Sequence, residues 1–275
     1  MKHAILPLVI LLALALLPAA LAEETAPETF LCGDYSYTLL VDGTAEIKRY
    51  TGEDEQLTIP EQLDGHAVTS IGFGAFFECR SLNTITIPDS VTSIGECAFF
   101  QCESLSSITI PDSVTSIGEC AFFQCESLSS ITIPDSVTSI GDSAFFLCYS
   151  LSSVTIPNSV TSIDDGTFEA CFSLSGVTIP DSVTSIGDYA FSFCGSLSSV
   201  AIPDSVTSIG NSAFYCCASL SSVTIPDSVT SIGYKAFYDC PSLTTTVSPN
   251  GYARQYCEEY NIPYVLSDSP DELNK

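Results

Sequence analysis

Seven prolines recur at one interval. Pro88, Pro111, Pro134, Pro157, Pro180, Pro203 and Pro226 are each 23 residues apart. A fixed period of that length constrains the chain more than any other feature. A chain made of copies folds as copies, each packed on its neighbours. Phenylalanine keeps the same interval at positions 76, 99, 122, 145, 168, 191, 214 and 237. Cysteine keeps it at 79, 102, 125, 148, 171, 194, 217 and 240. Asp89–Pro111 is identical to Asp112–Pro134. Pro60 alone is out of step: it precedes Pro88 by 28 residues, which places a five-residue insertion (28 less 23) at Gln62-Leu63-Asp64-Gly65-His66.

Each unit reads Ser-Leu-x-x-Ile-x-Ile-Pro-Asp-Ser-Val-x-x-Ile-Gly-x-x-Ala-Phe-x-x-Cys. Thr84 to Ile87 alternates polar with β-branched apolar residues, which predicts a short strand. Pro88 lacks an N–H and ends it. Val91 to Ile94 predicts a second extended piece. Gly95 marks a backbone position where a side chain would be strained. Asp164 stands there in one repeat, and Asp is among the residues that best tolerate a left-handed conformation. Ala98 to Cys102 fits one helical turn. Leu82, Ile85, Ile87, Val91, Ile94, Ala98, Phe99 and Cys102 form an apolar set that one unit cannot bury alone. Stacked copies can bury it. The expected fold class is therefore α+β and β-rich: a solenoid with a parallel sheet, about eight coils at roughly 4.8 Å spacing giving a core roughly 40 Å long.

The unit resembles the BspA-type leucine-rich repeat, in which Ile-Pro-x-x-Val-x-x-Ile-Gly-x-x-Ala-Phe-x-x-Cys-x-x-Leu recurs at 23 residues. The resemblance covers about Leu57 to Leu243. It implies a secreted or surface-exposed solenoid of a kind common in bacteria of the mouth and gut and in mucosal parasites. Some members are linked to adhesion to host matrix proteins, other bacteria or host cells. No fixed catalytic motif carries over.

Both ends read as caps, as a solenoid requires. Tyr35–Val41 and Ala45–Tyr50 are strand-like and flank Asp42-Gly43-Thr44, a hairpin signal. Ser248 to Tyr260 carries Tyr252, Ala253, Tyr256 and Cys257 at helical spacing, a face that would cover the last coil. Ile262–Leu266 adds a final strand. Ala4–Ala22 is apolar and ends in Ala20-Leu21-Ala22 before Glu23-Glu24, which reads as a secretory signal peptide. The expected organisation is a signal peptide at 1–22, an N-terminal cap at 23–56, the solenoid at 57–247, and a C-terminal helix and strand cap with its tail at 248–275.

Charge narrows the function. The chain has 33 Asp and Glu against 7 Lys and Arg, a formal net charge of −26. That excludes a protein held to phosphate by a basic surface, hence a sequence-independent nucleic-acid binder. It argues equally against docking on anionic lipid, and no membrane insertion is expected after signal removal. From Ser81 to Tyr234 there is no Lys, Arg or His, against 15 acids. A partner of this surface is expected to be basic.

Candidate sites are few. His66 lies in the insertion, read as an exposed loop, without the flanking nucleophile and acid that a triad needs. No Cys-x-x-Cys pair or histidine cluster supports zinc. The row Asp89, Asp112, Asp135, Asn158, Asp181, Asp204 and Asp227 reads as turn caps; one carboxylate per coil is thin for Ca²⁺. No cofactor, metal site or catalytic residue is expected. The eight laddered cysteines read as buried free thiols, because side chains pointing the same way on adjacent coils suit a disulfide poorly. Cys32, Cys97, Cys120, Cys216 and Cys257 are the expected reactive ones. Strand residues pointing away from the core form a field of small hydroxyls: Thr84, Thr86, Ser107, Thr109, Ser130, Thr132, Ser153, Thr155, Thr178, Ser199, Ser222 and Thr224. This is the candidate binding face. The reading is a secreted, non-enzymatic adhesion or interaction module that binds a protein or glycan at a host or microbial surface. The alternative is a structural solenoid of the envelope or secretome without a soluble ligand; Ca²⁺ binding and catalysis rank below both.

Overall fold

The computed structural model describes residues 27–267; the expected signal peptide lies outside the described residues, as does the end of the C-terminal tail. The rest is a solenoid whose coils register residue for residue at a displacement of 23. Each repeat supplies two short strands. The first strands run Gln56–Thr58, Thr84–Thr86, Ser107–Thr109 and onward to Ser222–Ile225; the second run His66–Ile71, Ser93–Ile94, Ser116–Ile117 and onward to Ser231–Ile232. Both sets pair in parallel, Thr86 with Thr109 and Ile94 with Ile117, for example. Eight such coils are closed by a partial coil at either end.

Between the two strand rows runs the core. Phe76, Phe99, Phe122, Phe145, Phe168, Phe191 and Phe214 are all fully buried. Their rings, with Phe237, form one continuous stack at centroid spacings of 5.1–5.5 Å. Burying each ring contributes roughly 1.5–3 kcal/mol. Like charges one coil apart, at about 5 Å in water, repel by only roughly 1 kcal/mol. Apolar stacking therefore outweighs the repulsion of an acidic, base-free body.

The segment expected to make a helical turn does something else. Cys97 and Gln101 have φ of +53° and +57°, and the equivalent positions in the other coils repeat this. The backbone explains it. The amides of Cys97, Phe99 and Gln101 donate to Glu119, Ala121 and Phe123 of the next coil, while those of Ala98, Phe100 and Cys102 close turns onto Gly95, Cys97 and Phe99. An α-helix turns every amide along its own axis. Here alternate amides must reach the neighbouring coil, and left-handed residues make that alternation possible.

Gly95 is not a left-handed position, contrary to expectation; it is a contact position. A Cβ there would lie 2.9 Å from the Ile71 carbonyl oxygen, and one at Gly118 would lie 2.6 Å from the Glu96 amide nitrogen. The amides of Gly95, Gly118 and Gly141 donate across this approach to Ile71, Ile94 and Ile117. Asp164, with its Cβ, occupies the same place one coil later. There, and nowhere else in the second ladder, pairing stops: Ser139–Ile140 ends one sheet and Ser162–Ile163 begins another. The first ladder also divides, between Ser107–Thr109 and Ser130–Thr132 and again between Gly176–Thr178 and Ser199–Ala201. The first of these borders falls between identical repeats, so local sequence does not explain it.

The caps cover the ends of the phenylalanine stack. Tyr35–Leu39 and Ala45–Tyr50 pair antiparallel, with an unforeseen outer strand at Thr29–Cys32. Asp42 Oδ1 accepts the Thr44 amide at 3.0 Å and holds the turn. Tyr50 lies 5.5 Å from Phe76. At the other end the helix spans Tyr252–Tyr260, with Ala253, Tyr256 and Cys257 buried. Tyr256 meets Phe237 edge-on at 6.4 Å. Tyr252, expected on that face, is instead exposed. Asn261 ends the helix at φ +54° and donates its amide to the Cys257 carbonyl.

Replacing Asp164 with Gly is expected to restore the interrupted ladder and stabilise the protein by about 1 kcal/mol, a typical net gain for a hydrogen bond. Gly118→Ala, at an intact junction, is expected to destabilise it by roughly 1–3 kcal/mol through overpacking. Urea denaturation measures both, and equal midpoints for D164G and wild type would refute the steric account.

Candidate functional site

The structure divides the repeated hydroxyls into two kinds. Some tie coil to coil. Ser90 Oγ donates to the Val68 carbonyl at 2.7 Å, Thr92 Oγ1 to Thr69 at 3.2 Å, and Ser106 Oγ to Asn83 at 3.2 Å. Their counterparts do the same along the stack. Ser90, not the neighbouring Asp89, thus ties the turn after the strand to the preceding coil. The other kind stands on the first-strand face. Thr86, Ser107, Thr109, Ser130, Thr132, Ser153, Thr155, Thr178, Ser199, Ser222 and Thr224 are exposed there, and Thr84 is half-buried. Pairing aligns them in two rows, Ser130–Ser153–Gly176 and Thr132–Thr155–Thr178, with Ser199–Ser222 and Ala201–Thr224 beyond. All twelve sequence candidates fall on this one face, and none serves as an intercoil tie like those of Ser90, Thr92 and Ser106.

A second row has consequences for charge. Where the residue after the contact glycine is Asp or Asn, its side chain accepts the amide of the next coil. Asp142 takes Asp165 at 3.0 Å, Asp165 takes Asp188 at 2.7 Å, Asp188 takes Asn211 at 2.6 Å, and Asn211 takes Tyr234 at 2.8 Å. Burial, and after it the neighbouring Glu96 and Asp142 charges, push the Glu119 carboxyl up. Glu169 sits in a different row, where the earlier coils carry Phe77, Phe100, Phe123 and Phe146. Burial among such neighbours pushes its carboxyl up to about 7.

All thirteen cysteines are free. The ladder thiols are not merely small hydrophobes. Cys102, Cys125, Cys148 and their successors each donate to the carbonyl of the core Phe in the preceding coil, at 3.1–3.2 Å for these three. Burial pushes the Cys148 thiol up to about 12 and Cys125 and Cys171 well above their usual value. A thiol kept protonated is a poor nucleophile. The expected reactive set needs correction. Cys257 is buried against Thr245 and its pKa is raised by burial. Cys216 is raised by burial, and Cys120 chiefly by its bond to Cys97. The half-buried thiols held below their usual value are Cys97, beside Cys120, and the two ends of the ladder, Cys79 beside Cys102 and Cys240 beside Cys217.

His66 is a strand residue, not a loop residue. It opens His66–Ile71, and its Nδ1 lies 2.8 Å from the Gly43 carbonyl. No group of three or more His, Cys, Asp or Glu among the described residues is placed to hold a metal. No helix of the described residues is long and apolar enough to cross a membrane.

Parallel coils, a buried aromatic stack and an exposed strand face define a leucine-rich-repeat solenoid. The chain belongs to the BspA type leucine rich repeat family: the family model matches residues 50–175 and 161–260, in six copies. Solved structures agree. The chain is similar to a T. pallidum leucine rich repeat protein, with 29% identity over 88% of this chain and 100% of that one and a TM-score of 0.63. It is also similar to a leucine-rich repeat protein of Bacteroides ovatus, with 31% identity over 79% and 70% of the two chains and a TM-score of 0.51. No curated protein matches the chain. Leucine-rich-repeat scaffolds are generally non-enzymatic and typically bind proteins.

Two predictions test the site chemistry. Iodoacetamide on the folded protein is expected to modify Cys79, Cys97 and Cys240 before Cys102–Cys217 of the ladder, read by mass spectrometry of Glu-C peptides; uniform labelling would refute the ordering. Glu169 holds a proton in the folded chain that the unfolded chain releases near pH 4.5. Its contribution to stability is therefore complete below that pH and lost as pH rises through about 7. Glu169→Gln is expected to remove that fall and to raise stability at pH 8 by roughly 2–3 kcal/mol, measured as the wild-type-to-variant difference in urea midpoint against pH.

Proposed function

We propose that this protein is a secreted or surface-exposed, non-enzymatic interaction module that grips a protein partner with its first-strand face. One observation carries the reading: the twelve hydroxyl positions fall on a single face, while the other repeated hydroxyls tie the coils together. A rigid, regular array of small donors and acceptors suits a broad protein surface better than a small substrate, which needs a concave pocket. The acids of the body, with no base between Ser81 and Tyr234, favour a partner rich in Lys and Arg. The apolar leader at Ala4–Ala22 supports export, and membership of a family associated with bacterial surfaces supports the location.

The test is binding to proteins solubilised from epithelial and bacterial surfaces. The wild-type chain is expected to retain a partner at low salt and release most of it near 0.5 M salt, where exposed charges are screened beyond roughly 4 Å. The triple variant Thr109→Arg/Thr132→Arg/Thr155→Arg is expected to lose that partner while melting with the wild type. Retention of the same partner by the triple variant would overturn the assignment of the face.

A further inference from the structure

The outer aromatic row breaks at Ser192. Counting by 23, this row runs Phe77, Phe100, Phe123, Phe146, Glu169, Ser192, Tyr215 and Tyr238. The first four rings pack at 4.5–5.1 Å. At Ser192 the ring is missing, and a cleft of about 420 Å³ opens beside it. This lies within the roughly 300–1,000 Å³ of small-molecule sites. The cleft is on the turn side of the coils and shares no lining residue with the strand face.

Its walls are unlike the rest of the molecule. Tyr189, Phe193, Tyr215 and Tyr234 line it, with Ser192 and Lys235. Tyr189 and Lys235 occupy the left-handed position that Gly74, Cys97, Cys120, Ser143, Gly166 and Ser212 hold in the other coils. A bulky tyrosine at φ +58° is strained, and here it places an exposed ring beside the opening. Phe193 meets Tyr215 edge-on at 5.3 Å, and Tyr215 stacks with Tyr238 at 5.9 Å.

The polar groups converge from behind. Asp188 and Asn211 are fixed by the amide relay, and Asn211 Nδ2 donates to Asp188 Oδ2 at 2.9 Å. The Asp188 carboxylate still has lone pairs to offer, and the Asn211 amide a second N–H. Ser192 is fully buried, yet its Oγ has no hydrogen-bond partner. A buried hydroxyl without a partner is costly unless something supplies one.

The walls select a ligand class. The Lys235 ammonium already lies over the Tyr234 and Tyr238 rings, at 5.2 and 4.8 Å, so a cationic ligand would meet occupied faces and a like charge. A phosphate would face the Asp188 carboxylate with one base to hold it. A lipid chain would leave the amide, carboxylate and hydroxyl unpaired. A neutral sugar ring meets none of these objections: its C–H face suits aromatic rings, and its hydroxyls both donate and accept. We propose that this cleft binds a neutral pyranose unit of a glycan, with the tyrosine rings as platform and Asp188, Asn211 and Ser192 as hydroxyl partners. The site is separate from the strand face and stands whether or not that face grips a protein.

The experiment is saturation-transfer NMR of the full chain with methyl glycosides of glucose, galactose, mannose and N-acetylglucosamine, each at up to about 10 mM, where millimolar sites fill. At least one is expected to show transfer. Ser192→Phe, which puts a ring back into the row, is expected to abolish it. Tyr234→Ala, at an exposed position, is expected to weaken binding by about tenfold and serves as the deciding variant should Ser192→Phe not fold. Thr109→Arg, on the strand face, is expected to leave it unchanged. Absence of transfer from all four glycosides, or unaltered binding in Tyr234→Ala together with Ser192→Phe, overturns the proposal.

Discussion

The structure depends on one contact, the approach of each coil's backbone to the coil before it at the conserved glycine. The carbonyl of Ile71 sits where a Cβ on Gly95 would collide, and that closeness lets the Gly95 amide reach it. Once two coils are that near, every residue faces its counterpart 23 positions away. The Phe rings then stack, the Cys thiols meet the Phe carbonyls, and side chains such as Asp142 and Asp188 find amides of the next turn. Each interaction is individually modest. Their force comes from repetition in register, which is why a solenoid's stability is nearly a sum over neighbours.

The same logic explains where the stack is weak. Asp164 interrupts the second ladder, and its coil is irregular in other ways. It carries Asp165-Gly166-Thr167 in place of the usual pattern and puts Glu169 in a row otherwise begun by four phenylalanines. The core continues through it unbroken, since Phe145, Phe168 and Phe191 keep their 5.5 Å spacing. Hydrogen-bonded edge and apolar centre are therefore separable. Apolar stacking tolerates a few tenths of an ångström of adjustment, whereas a backbone bond at a contact glycine does not survive an added Cβ.

Much of this was legible in the sequence because period is a geometric quantity. Rows of Phe, Cys and strand hydroxyls follow from counting by 23, and so do the exposed face and the buried one. The turns were not legible. Cys97, Gln101 and Leu147 have left-handed backbones, yet none is a residue type that announces one; neighbouring coils impose the conformation by demanding alternate amides. The glycine was located correctly and explained wrongly, since a requirement for room and a requirement for positive φ look alike in sequence. The thiols likewise could be placed but not ranked, because the ends of a ladder differ from its middle only in burial.

The cleft at Ser192 shows how a repeat protein acquires an individual feature. Identical coils can present only rows, and rows suit long surfaces. A concave site needs a position where the row fails. Here the signal was present in the outer aromatic row, as Phe146, Glu169, Ser192, Tyr215 read at the repeat interval, but it becomes a site only when the fold shows that the missing ring leaves space and that Tyr189, Tyr215 and Tyr234 border it. Departures from the consensus are thus of two kinds: Asp164 disturbs backbone pairing and leaves no cavity listed beside it in the core, while Ser192 leaves the backbone paired and removes only a side chain. In a solenoid the second kind is the one that can carry specificity, because it reshapes the surface without breaking the stack that supports it.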